Sequence, residues 1–480
     1  MKQALLVLAL FPVAMASLHA AEPAVPSAAP ETPAPTLEAR CTRAFGDHAV
    51  FQQDMPVPVW GWSLPHADVE VTFNSSIKKT TAGPDGAWRV TLDPMPADKL
   101  ASLNDAPAGR TLTITTRLDG KEATKVFSDI LIGEVWLCSG QSNMIGKFRR
   151  AVYPPGSDKD ANYPSLRNLD AEWTICTPDT VGDFSRVAVS FAREIQRELM
   201  VPVGLMTAAV GGTQIESWIR DPWLDADGKP VPVKYRHYET KIEPLVGYAM
   251  RGVLWYQGEG NAKDGRNYLP KMERLIGGWR EAWGQGEFPF YFVQLAPIGE
   301  SPADQPAGGD GRAEIRQAQV EALAVPNTAM VVTMDSGAVK EHPINKHDIG
   351  LRLARQALNR DYGRKDIVPS GPLYKSHTIN GNTVSVSFDH ATSGLMLATK
   401  NGYDAPVPTP DAAIPWLAIQ AKDGSWHQAE GRIDGSDLIV SSKGVSEPIA
   451  VRYAYTNHPV GFNLYNKDGL PASPFTTCGY

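Results

Sequence analysis

Five apolar runs without strict polar alternation follow one another along the middle of the chain, and no other feature limits the fold as strongly. They read ILIGEVWLC, VPVGLMTAAV, RGVLWYQ, FPFYFVQLA and AMVVTMD. Helical periodicity lies between them, as where Val187, Phe191, Ile195 and Leu199 recur at intervals of four. Continuous apolar strands that alternate with helices are typical of a parallel sheet covered by helices on both faces. We therefore predict an α/β domain with three layers over residues 131–370.

Short alternating runs flank this segment on both sides. Before it stand VPVWGW, VEVTFN, WRVTL and TLTITT, and after it stand NTVSVSF, PWLAIQ, DLIVSS and IAVRYAY. Runs of period two that are separated by Gly, Pro and Asp are typical of small antiparallel sheets. The sequence predicts an N-terminal β-sandwich module at 41–130 and a C-terminal β module at 371–480.

The first residues of the chain predict export. Residues 1–20 combine an early lysine, a short apolar stretch and small residues before a cleavage site after Ala20, which is the pattern of a signal peptide. Residues 21–40 are rich in Pro and Ala and predict a linker. No later segment approaches the roughly 20 apolar residues of a membrane span. We expect a periplasmic or secreted protein that does not span a membrane.

Charge and cysteine content exclude some partners. The net charge is −7 and no Lys/Arg run occurs, which argues against a nucleic-acid partner because phosphate binding needs a concentrated basic face. The chain has four cysteines without a CxxC pair, so we expect no metal site. These residues are Cys41, Cys138, Cys176 and Cys478. Export permits disulfides, and both the pairing of the cysteines and the oligomeric state stay open.

Polar or Gly-rich segments follow four of the apolar runs. These segments are SGQSNM (139–144), GGTQ (211–214), QGEGN (257–261), and DSG (335–337) with the later HP (342–343). Because ligands bind beyond the carboxyl ends of parallel strands, we expect the segments to meet at one edge of the sheet. A serine needs a base such as imidazole to become a nucleophile, and glycine amides or a Gln or Asn side chain can hold an oxyanion. The set predicts acyl transfer.

The same segments carry a family resemblance. GEVWLCSGQSNM, VPVGLMTAAVGGTQIESW, GVLWYQGEGNA and HPINKHDIGLRLARQAL occur in this order, and the set resembles the sialate O-acetylesterases of the SGNH hydrolase superfamily. The stretches VPVWGWSLPHADVEVTF and NLYNKDGLPASPF are similar to the family's N- and C-terminal β modules. The resemblance implies a flavodoxin-like SGNH esterase domain that removes O-acetyl groups from sialic acid through an acyl-enzyme and requires no metal or organic cofactor.

Two alternatives to this function stay open. The O-acetylated carbohydrate could be a plant polysaccharide such as xylan or pectin, because the loops that select the sugar have no recognisable pattern. A carbohydrate-binding protein that has kept an esterase fold without catalysis is the second alternative.

The resemblance implies roles for individual residues. Ser142 matches the nucleophile and His342 the general base. The amides of Ser142 and Gly211, with Gly212 as the alternative, and the side chain of Gln257 match the oxyanion hole. Gln257 stands where many SGNH enzymes have Asn, and Asn261 is the less favoured match for that position. Asn261 and Glu259 are candidate supporting residues, with Glu259 favoured as a structural hydrogen-bonding partner over a catalytic acid. Each assignment has a structural alternative: Ser142 could cap a helix, the glycines could serve close packing, and Gln257 could be a buried amide that satisfies backbone groups.

The third member of a catalytic triad has no clear match. The family often reads Asp-Ile-His-Pro, whereas Val339, Lys340 and Glu341 precede His342 here. We favour Asp335, just beyond its strand, as the carboxylate that orients the imidazole. Glu341 would usually point away, and a backbone carbonyl would leave a Ser–His dyad.

Two further residues carry weaker expectations. Arg316 could bind a substrate carboxylate, although an exposed or salt-bridged helix residue is the default interpretation. We expect His347 to be a solvated residue in the first turn of the last helix of the α/β domain.

Overall fold

The computed structural model describes residues 35–148, 162–225, 227–302, 305, 307–337 and 342–478. The predicted signal peptide at 1–20 and most of the predicted linker at 21–40 lie outside the described residues. Within the described residues, no helix is long and apolar enough to cross a membrane.

Short antiparallel strands build the N-terminal part. They are β1 (Val50–Gln52), β2 (Val57–Trp62), β3 (Asp68–Phe73), β4 (Ser76–Thr81), β5 (Ala87–Leu92) and β6 (Arg110–Leu118). β2 pairs with β5, and β3 lies between β4 and β6. Val69, Val71 and Phe73 alternate with more exposed residues and are buried, as the period of two predicts.

One long strand, β7 (Lys121–Gly140), connects this part to the α/β domain. Its first half pairs antiparallel with β6, and its second half pairs parallel with β1 and with strands of the central sheet. Asp129, with φ of 56°, marks the change between the two halves. The predicted boundary at 130/131 therefore falls inside a continuous strand, where alternating burial changes to complete burial.

The central sheet has β7 in its middle. Its other strands are β8 (Tyr163–Leu169), β9 (Trp173–Cys176), β10 (Val203–Ala209), β11 (Gly252–Tyr256), β12 (Phe290–Val293) and β13 (Thr328–Val331). The order is β13-β12-β11-β7-β10-β8-β9, and all neighbours are parallel except β8 and β9. The carboxyl end of β7 therefore lies at the centre of one edge, between the ends of β10 and β11.

Helices cover both faces of this sheet. They are α1 (Ser142–Ile145), α2 (Arg186–Leu199), α3 (Tyr268–Trp283), α4 (Gly311–Glu321) and α5 (Lys346–Arg360). Single-turn segments are Val181–Asp183, Ile215–Ser217, Tyr238–Ile242, Glu243–Leu245, Glu259–Asn261, Gly265–Asn267 and Ala322–Ala324. Trp136 and Cys138 of β7 pack with α2 and α5, whereas Val135 and Leu137 pack with α3 and α4. The predicted α/β domain with three layers is confirmed.

Antiparallel sheets form the C-terminal part. Their strands are β14 (Leu373–Asn380), β15 (Thr383–Asp389), β16 (Leu395–Thr399), β17 (Val407–Pro408), β18 (Leu417–Ala421), β19 (Trp426–Gln428), β20 (Glu430–Asp434), β21 (Asp437–Ser441), β22 (Pro448–Tyr453), β23 (Leu464–Asn466) and β24 (Phe475–Thr476). Their orders are β14-β15-β21-β20, β17-β16-β23 and β19-β18-β22-β24. Val386, Ile419 and Val451 belong to a core of their own, which agrees with the predicted β-rich module.

Arg316 of α4 joins the α/β domain to this C-terminal part. Its buried guanidinium donates to the carbonyls of Leu295 at 2.7 Å, Ala296 at 3.0 Å, Thr456 at 2.5 Å and Asn457 at 2.9 Å. Burial lowers the pKa of Arg316 to about 9. Both expectations for Arg316 are wrong, because four carbonyl groups satisfy a side chain that reaches neither solvent nor a substrate.

The four cysteines are free thiols. Cys41 is half-buried, and burial raises its pKa to about 12. Cys478 lies instead beside Gln420 of β18, with 3.6 Å between Sγ and Oε1. Cys41 and Cys478 therefore form no disulfide in this structure.

Candidate active site

Ser142 is the first residue of α1, directly after the turn that ends β7. The turn requires glycine at position 140: φ is +132°, and an added Cβ would collide with the carbonyl oxygen of Tyr256. Ser142 Oγ lies 2.9 Å from Nε2 of His342. The distance is that of a hydrogen bond through which the imidazole can accept the hydroxyl proton. The structure thus brings together the two residues that the sequence assigns to nucleophile and base.

His342 is exposed and precedes α5. When Oγ donates to Nε2, the proton of the neutral imidazole is on Nδ1. In the part of the chain that the structure describes, Nδ1 has no hydrogen-bond partner besides solvent. The contact with Ser142 is therefore the one side-chain hydrogen bond that fixes the ring within the described residues.

Asp335 does not lie against His342. Its two carboxylate oxygens accept hydrogen bonds of 2.7 Å from the guanidinium of Arg352 in α5, and Tyr465 OH lies 3.5 Å away. Both partners of the ion pair are buried, so each needs the other as its counter-charge. Burial opposes the charge of Arg352, but Asp335 outweighs it and raises the pKa of Arg352. The expected triad contact is replaced by an ion pair, and Glu341 lies outside the described residues.

Gly211 lies beside the nucleophile. A Cβ added to Gly211 would be 3.6 Å from Cβ of Ser142, so this peptide borders the place where an oxyanion would form. Val210 N donates to Gly140 O at 3.1 Å and holds the end of β10 against the serine turn. Gly212 has φ of +71°, and nothing lies within 4 Å of where its Cβ would be. Of the two glycines, the structure places Gly211 next to Ser142.

Gln257 takes up the arrangement of a buried amide. Its Nε2 donates to Thr213 O at 3.0 Å and to Asn261 Oδ1 at 2.8 Å, and Gln141 Oε1 lies 3.2 Å away. Its Oε1 accepts from Tyr268 OH at 2.7 Å. Because both amide hydrogens have acceptors inside the protein, the side chain does not offer a donor to the oxyanion site. It connects the turns after β7, β10 and β11 instead.

Asn261 extends this network below the turn. Its Oδ1 accepts from Ile215 N at 2.9 Å, and its Nδ2 donates to Glu216 at 2.9 Å and to Asp264 at 2.8 Å. Lys271 of α3 reaches the same two carboxylates, at 2.5 Å each. Asn261 therefore lies within an ionic cluster of Glu216, Asp264 and Lys271 that sequence reasoning missed.

A second polar cluster lies directly beside the nucleophile, and of its members the sequence indicated a role only for Glu259. Asn143 Nδ2 donates to Glu259 Oε1, and Lys346 Nζ donates to Asn143 Oδ1. Asn143 and Lys346 are buried, and Nζ lies 5.0 Å from the ring centroid of Tyr256. Glu259 is partly exposed as a residue, but its Oε2 is buried and has no hydrogen-bond partner in another described residue. In the sequence, Asn143 is adjacent to Ser142 and Lys346 follows His342 by four residues. This proximity is the one sequence feature that could have indicated their place in the site.

Burial dominates the electrostatics of this cluster. It lowers the pKa of Lys346 to about 7, against the raising effect of the Glu259 charge. It also raises the pKa of Glu259, against the hydrogen bond from Asn143 and the charges of Lys346 and Arg312. Both charged forms are disfavoured because water is excluded from them.

His347 is not solvated as expected. Its Nδ1 lies 3.1 Å from Ser190 Oγ of α2, and burial lowers its pKa to about 4. The first turn of α5 packs against α2, which leaves His347 partly exposed at the border of a cavity beside α2. The expectation of a solvated residue therefore holds only for part of this side chain.

The C-terminal part contacts the segment that follows His342. Asn345 caps α5 by accepting from Asp348 N at 3.0 Å, and its Nδ2 donates to Gly402 O at 3.0 Å. Lys400 forms an ion pair of 2.9 Å with Asp348 and is buried at the side chain. The loop after β16 thus holds the start of α5 from outside.

The chain is similar to known carbohydrate esterases. Residues 132–359 match the family described as carbohydrate esterase, sialic acid-specific acetylesterase. The human sialate O-acetylesterase is 27% identical over 481 residues, which cover 87% of this chain and 88% of the human protein. The rat enzyme is 28% identical over 512 residues, which cover 87% and 90%.

A solved structure is also similar. The crystal structure of a carbohydrate acetylesterase from Xanthomonas citri superimposes with a TM-score of 0.78 at 31% identity, over 92% of this chain and 100% of that one. The segment that matches the family begins in β7 and ends in α5. It therefore contains Ser142, His342 and the turns after β10, β11 and β13. The chain belongs to this family of carbohydrate esterases and is a carboxylic ester hydrolase.

Proposed function

We propose that the protein is a serine esterase that removes O-acetyl groups from sialic acid. The observation that carries the proposal is the 2.9 Å contact between Ser142 Oγ and His342 Nε2 at the carboxyl edge of the central sheet. Relatives that match most of the chain are sialate O-acetylesterases. The contact also argues against a protein that only binds carbohydrate, since such a protein has no need to keep a serine aligned with an imidazole.

The reaction begins with proton transfer. His342 accepts the hydroxyl proton of Ser142 while Oγ attacks the acetyl carbonyl carbon, and a tetrahedral intermediate forms. The backbone amides of Ser142 and Gly211 border its oxyanion and stabilise the developing charge. The Gln257 amide, which is engaged inside the protein, contributes by fixing the turns that carry these donors.

The second half of the reaction uses the same base. The imidazolium of His342 protonates the departing sugar oxygen, which leaves the acetyl group on Ser142. A water molecule then gives its proton to His342 and attacks the acyl-enzyme, and acetate leaves as Ser142 regains its proton. Exposure of His342 admits both the sugar and the water.

Two arginines of α2 support an acidic sugar. A cavity of about 230 Å³ along α2 is lined by Arg186, Arg193 and Glu194 together with Phe148 and Tyr163, and its lining includes neither Ser142 nor His342. The backbone of Arg186 donates to Gly146 O at 2.9 Å, which attaches the start of α2 to the end of α1. Guanidinium groups beside aromatic rings suit a sugar that carries a carboxylate.

We also propose that the protein is exported to the periplasm or secreted. The support is the pattern of residues 1–20, with its small residues before Ala20. Mass spectrometry of the protein recovered from the periplasm or medium should find a mature N-terminus at Ala21. A retained Met1 in the cytoplasm would refute export.

Acetate release tests the proposed function. Wild type, Ser142→Ala and the matched control Ser425→Ala, which changes an exposed serine, are assayed on 9-O-acetylated sialic acid, acetylated xylan and an aryl acetate. We expect release from the sialic acid by wild type and the control, with none from Ser142→Ala. Release from xylan alone would move the substrate to plant polysaccharide, and activity of Ser142→Ala would refute the serine mechanism.

A further inference from the structure

Three segments that meet at the nucleophile are joined by one chain of hydrogen bonds. Asn143 follows Ser142 in α1, Lys346 begins α5 four residues after His342, and Glu259 lies in the turn after β11. We infer that Asn143, Glu259 and Lys346 form a positioning unit that holds the serine and the imidazole in mutual register. The inference rests on the proposed function, because it deepens the account of that same site.

The nucleophile helix needs such a support. α1 has four residues, and the side chain of Gln141 makes no capping hydrogen bond to it. A helix of one turn has no stability of its own, so contacts outside it determine the direction of Ser142 Oγ. One such contact is the 2.5 Å hydrogen bond from Ser185 Oγ to Met144 O. Another is the side chain of Asn143, whose amide nitrogen and oxygen are both bound.

The base segment has the same need. Nδ1 of His342 donates a hydrogen bond to no described residue, and Asp335 is bound to Arg352. Asn345 anchors this segment to the loop after β16, and the next residue, Lys346, is the one that reaches the serine turn, where its Nζ ends on Asn143. Because α5 begins at this residue, the hydrogen bond fixes the distance between the start of α5 and the serine turn. The unit therefore supplies part of the constraint that an acidic third residue would supply.

The chemistry of the unit points to positioning and away from simple stabilisation. A buried ammonium and a buried carboxylate gain most when they contact each other directly with all hydrogen bonds satisfied. Here an amide separates them, and Glu259 Oε2 lacks a partner in another described residue. The arrangement gives up electrostatic stability, and it gains a rigid connection across three segments.

The unit also predicts a pH dependence. Lys346 faces Glu259 and the ring of Tyr256, Glu259 also faces Arg312, and Asp348 in the same turn of α5 is paired with Lys400. A protonated Lys346 makes a charge-assisted hydrogen bond to Asn143, which weakens when the proton is lost. Since burial lowers the pKa of Lys346 to about 7, kcat should decline as the pH rises beyond that value.

The test compares Lys346→Met, which removes the donor, with Lys346→Gln, which keeps a neutral donor. Lys375→Gln, which changes an exposed lysine of β14, is the matched control. On an aryl acetate, we expect kcat of Lys346→Met to fall about 10- to 100-fold with KM little changed, because a small misplacement of reacting groups has costs of this size. Lys346→Gln should lose less and should lack the alkaline decline, and the control should match wild type.

A fluorophosphonate that labels the serine gives a second readout without a sugar. Its rate of reaction with Lys346→Met should fall in parallel with kcat, while melting temperatures confirm that each variant is folded. Wild-type kcat, labelling rate and pH profile in both Lys346 variants would overturn the positioning unit. If Ser142→Ala still released acetate, the proposed function itself would fail, so the two failures are distinguishable.

Discussion

Two buried lysines lie at the same edge of the central sheet, on either side of the turn after β11, and their surroundings differ. Lys271 contacts Glu216 and Asp264 directly, at 2.5 Å each. Lys346 contacts the neutral amide of Asn143, and Glu259 is reached only through that amide. Lys271 is thus neutralised by two carboxylates in direct contact. Lys346 is separated from its single carboxylate by an amide.

The difference appears in the pKa values. Burial lowers the pKa of Lys271, but hydrogen bonds from its amine to Asp264 and Glu216 outweigh burial and raise it overall. Burial lowers the pKa of Lys346 to about 7 because the charge of Glu259 only partly compensates. The raised pKa keeps Lys271 charged, whereas the pKa of Lys346 lies near neutrality. Complete pairing favours stability, and incomplete pairing permits a group to respond to pH.

Both lysine clusters lie around one Ser–His pair. The largest effect on kcat should therefore come from removal of the imidazole. We expect His342→Ala to lower kcat by about 10⁴-fold or more, because a serine hydroxyl without a base is a weak nucleophile. The melting temperature should not change, since His342 is exposed. Steady-state kinetics and thermal unfolding measure both quantities. A loss below about tenfold would remove His342 from the reaction.

Asp335→Asn should affect stability much more than catalysis. The substitution leaves Arg352 buried without its counter-charge, which costs about 3 kcal/mol of unfolding free energy. Because Asp335 does not contact His342, kcat measured well below the melting temperature should change only a few-fold. Urea unfolding and steady-state kinetics give the two values. A large loss of kcat with unchanged stability would restore Asp335 as the third triad residue.

Asp335 also shows where sequence reasoning ends. The domain with three layers is predicted because complete burial of parallel strands leaves continuous apolar runs, and the positions of Ser142 and His342 follow from motifs at strand ends. The partner of a carboxylate depends on a side chain from another element, here Arg352 of α5. Nothing in the local sequence of Asp335 distinguishes a contact with an imidazole from one with a guanidinium.

The roles of Gln257 and Lys346 could not be predicted from the sequence for the same reason, which is that each depends on side chains from other elements. The motif QGEGN is equally compatible with an oxyanion donor and a buried amide, and only the folded arrangement of Tyr268, Thr213 and Asn261 decides between them. Lys346 belongs to a helix start that reads as solvated in the sequence. Packing of α5 on the serine turn buries Lys346. The periodicity of the sequence does not indicate that contact.

Substitution of the lysine should cost more unfolding free energy in the Lys271 cluster than in the Lys346 cluster. Lys271→Gln leaves Glu216 and Asp264 close together without a cation, and we expect a loss of about 2–3 kcal/mol of unfolding free energy. Lys346→Gln replaces a poorly compensated charge with a neutral donor and should cost less than about 1 kcal/mol. Urea unfolding at pH 7 compares the two variants. Equal losses would contradict the difference in pairing between the clusters.

The last effect is a pH dependence of stability that Lys346 adds. Its folded pKa of about 7 lies below the unfolded value of 10.5, so between these values the unfolded chain binds more protons than the folded one. The unfolding free energy should therefore rise with pH in this window, by about 1.4 kcal/mol per pH unit at most for one proton. Lys346→Gln should remove this contribution, whereas Lys271→Gln should retain it. Unfolding in urea at pH 7, 8 and 9 measures the slope, and identical slopes in wild type and Lys346→Gln would show that Lys346 stays charged like Lys271.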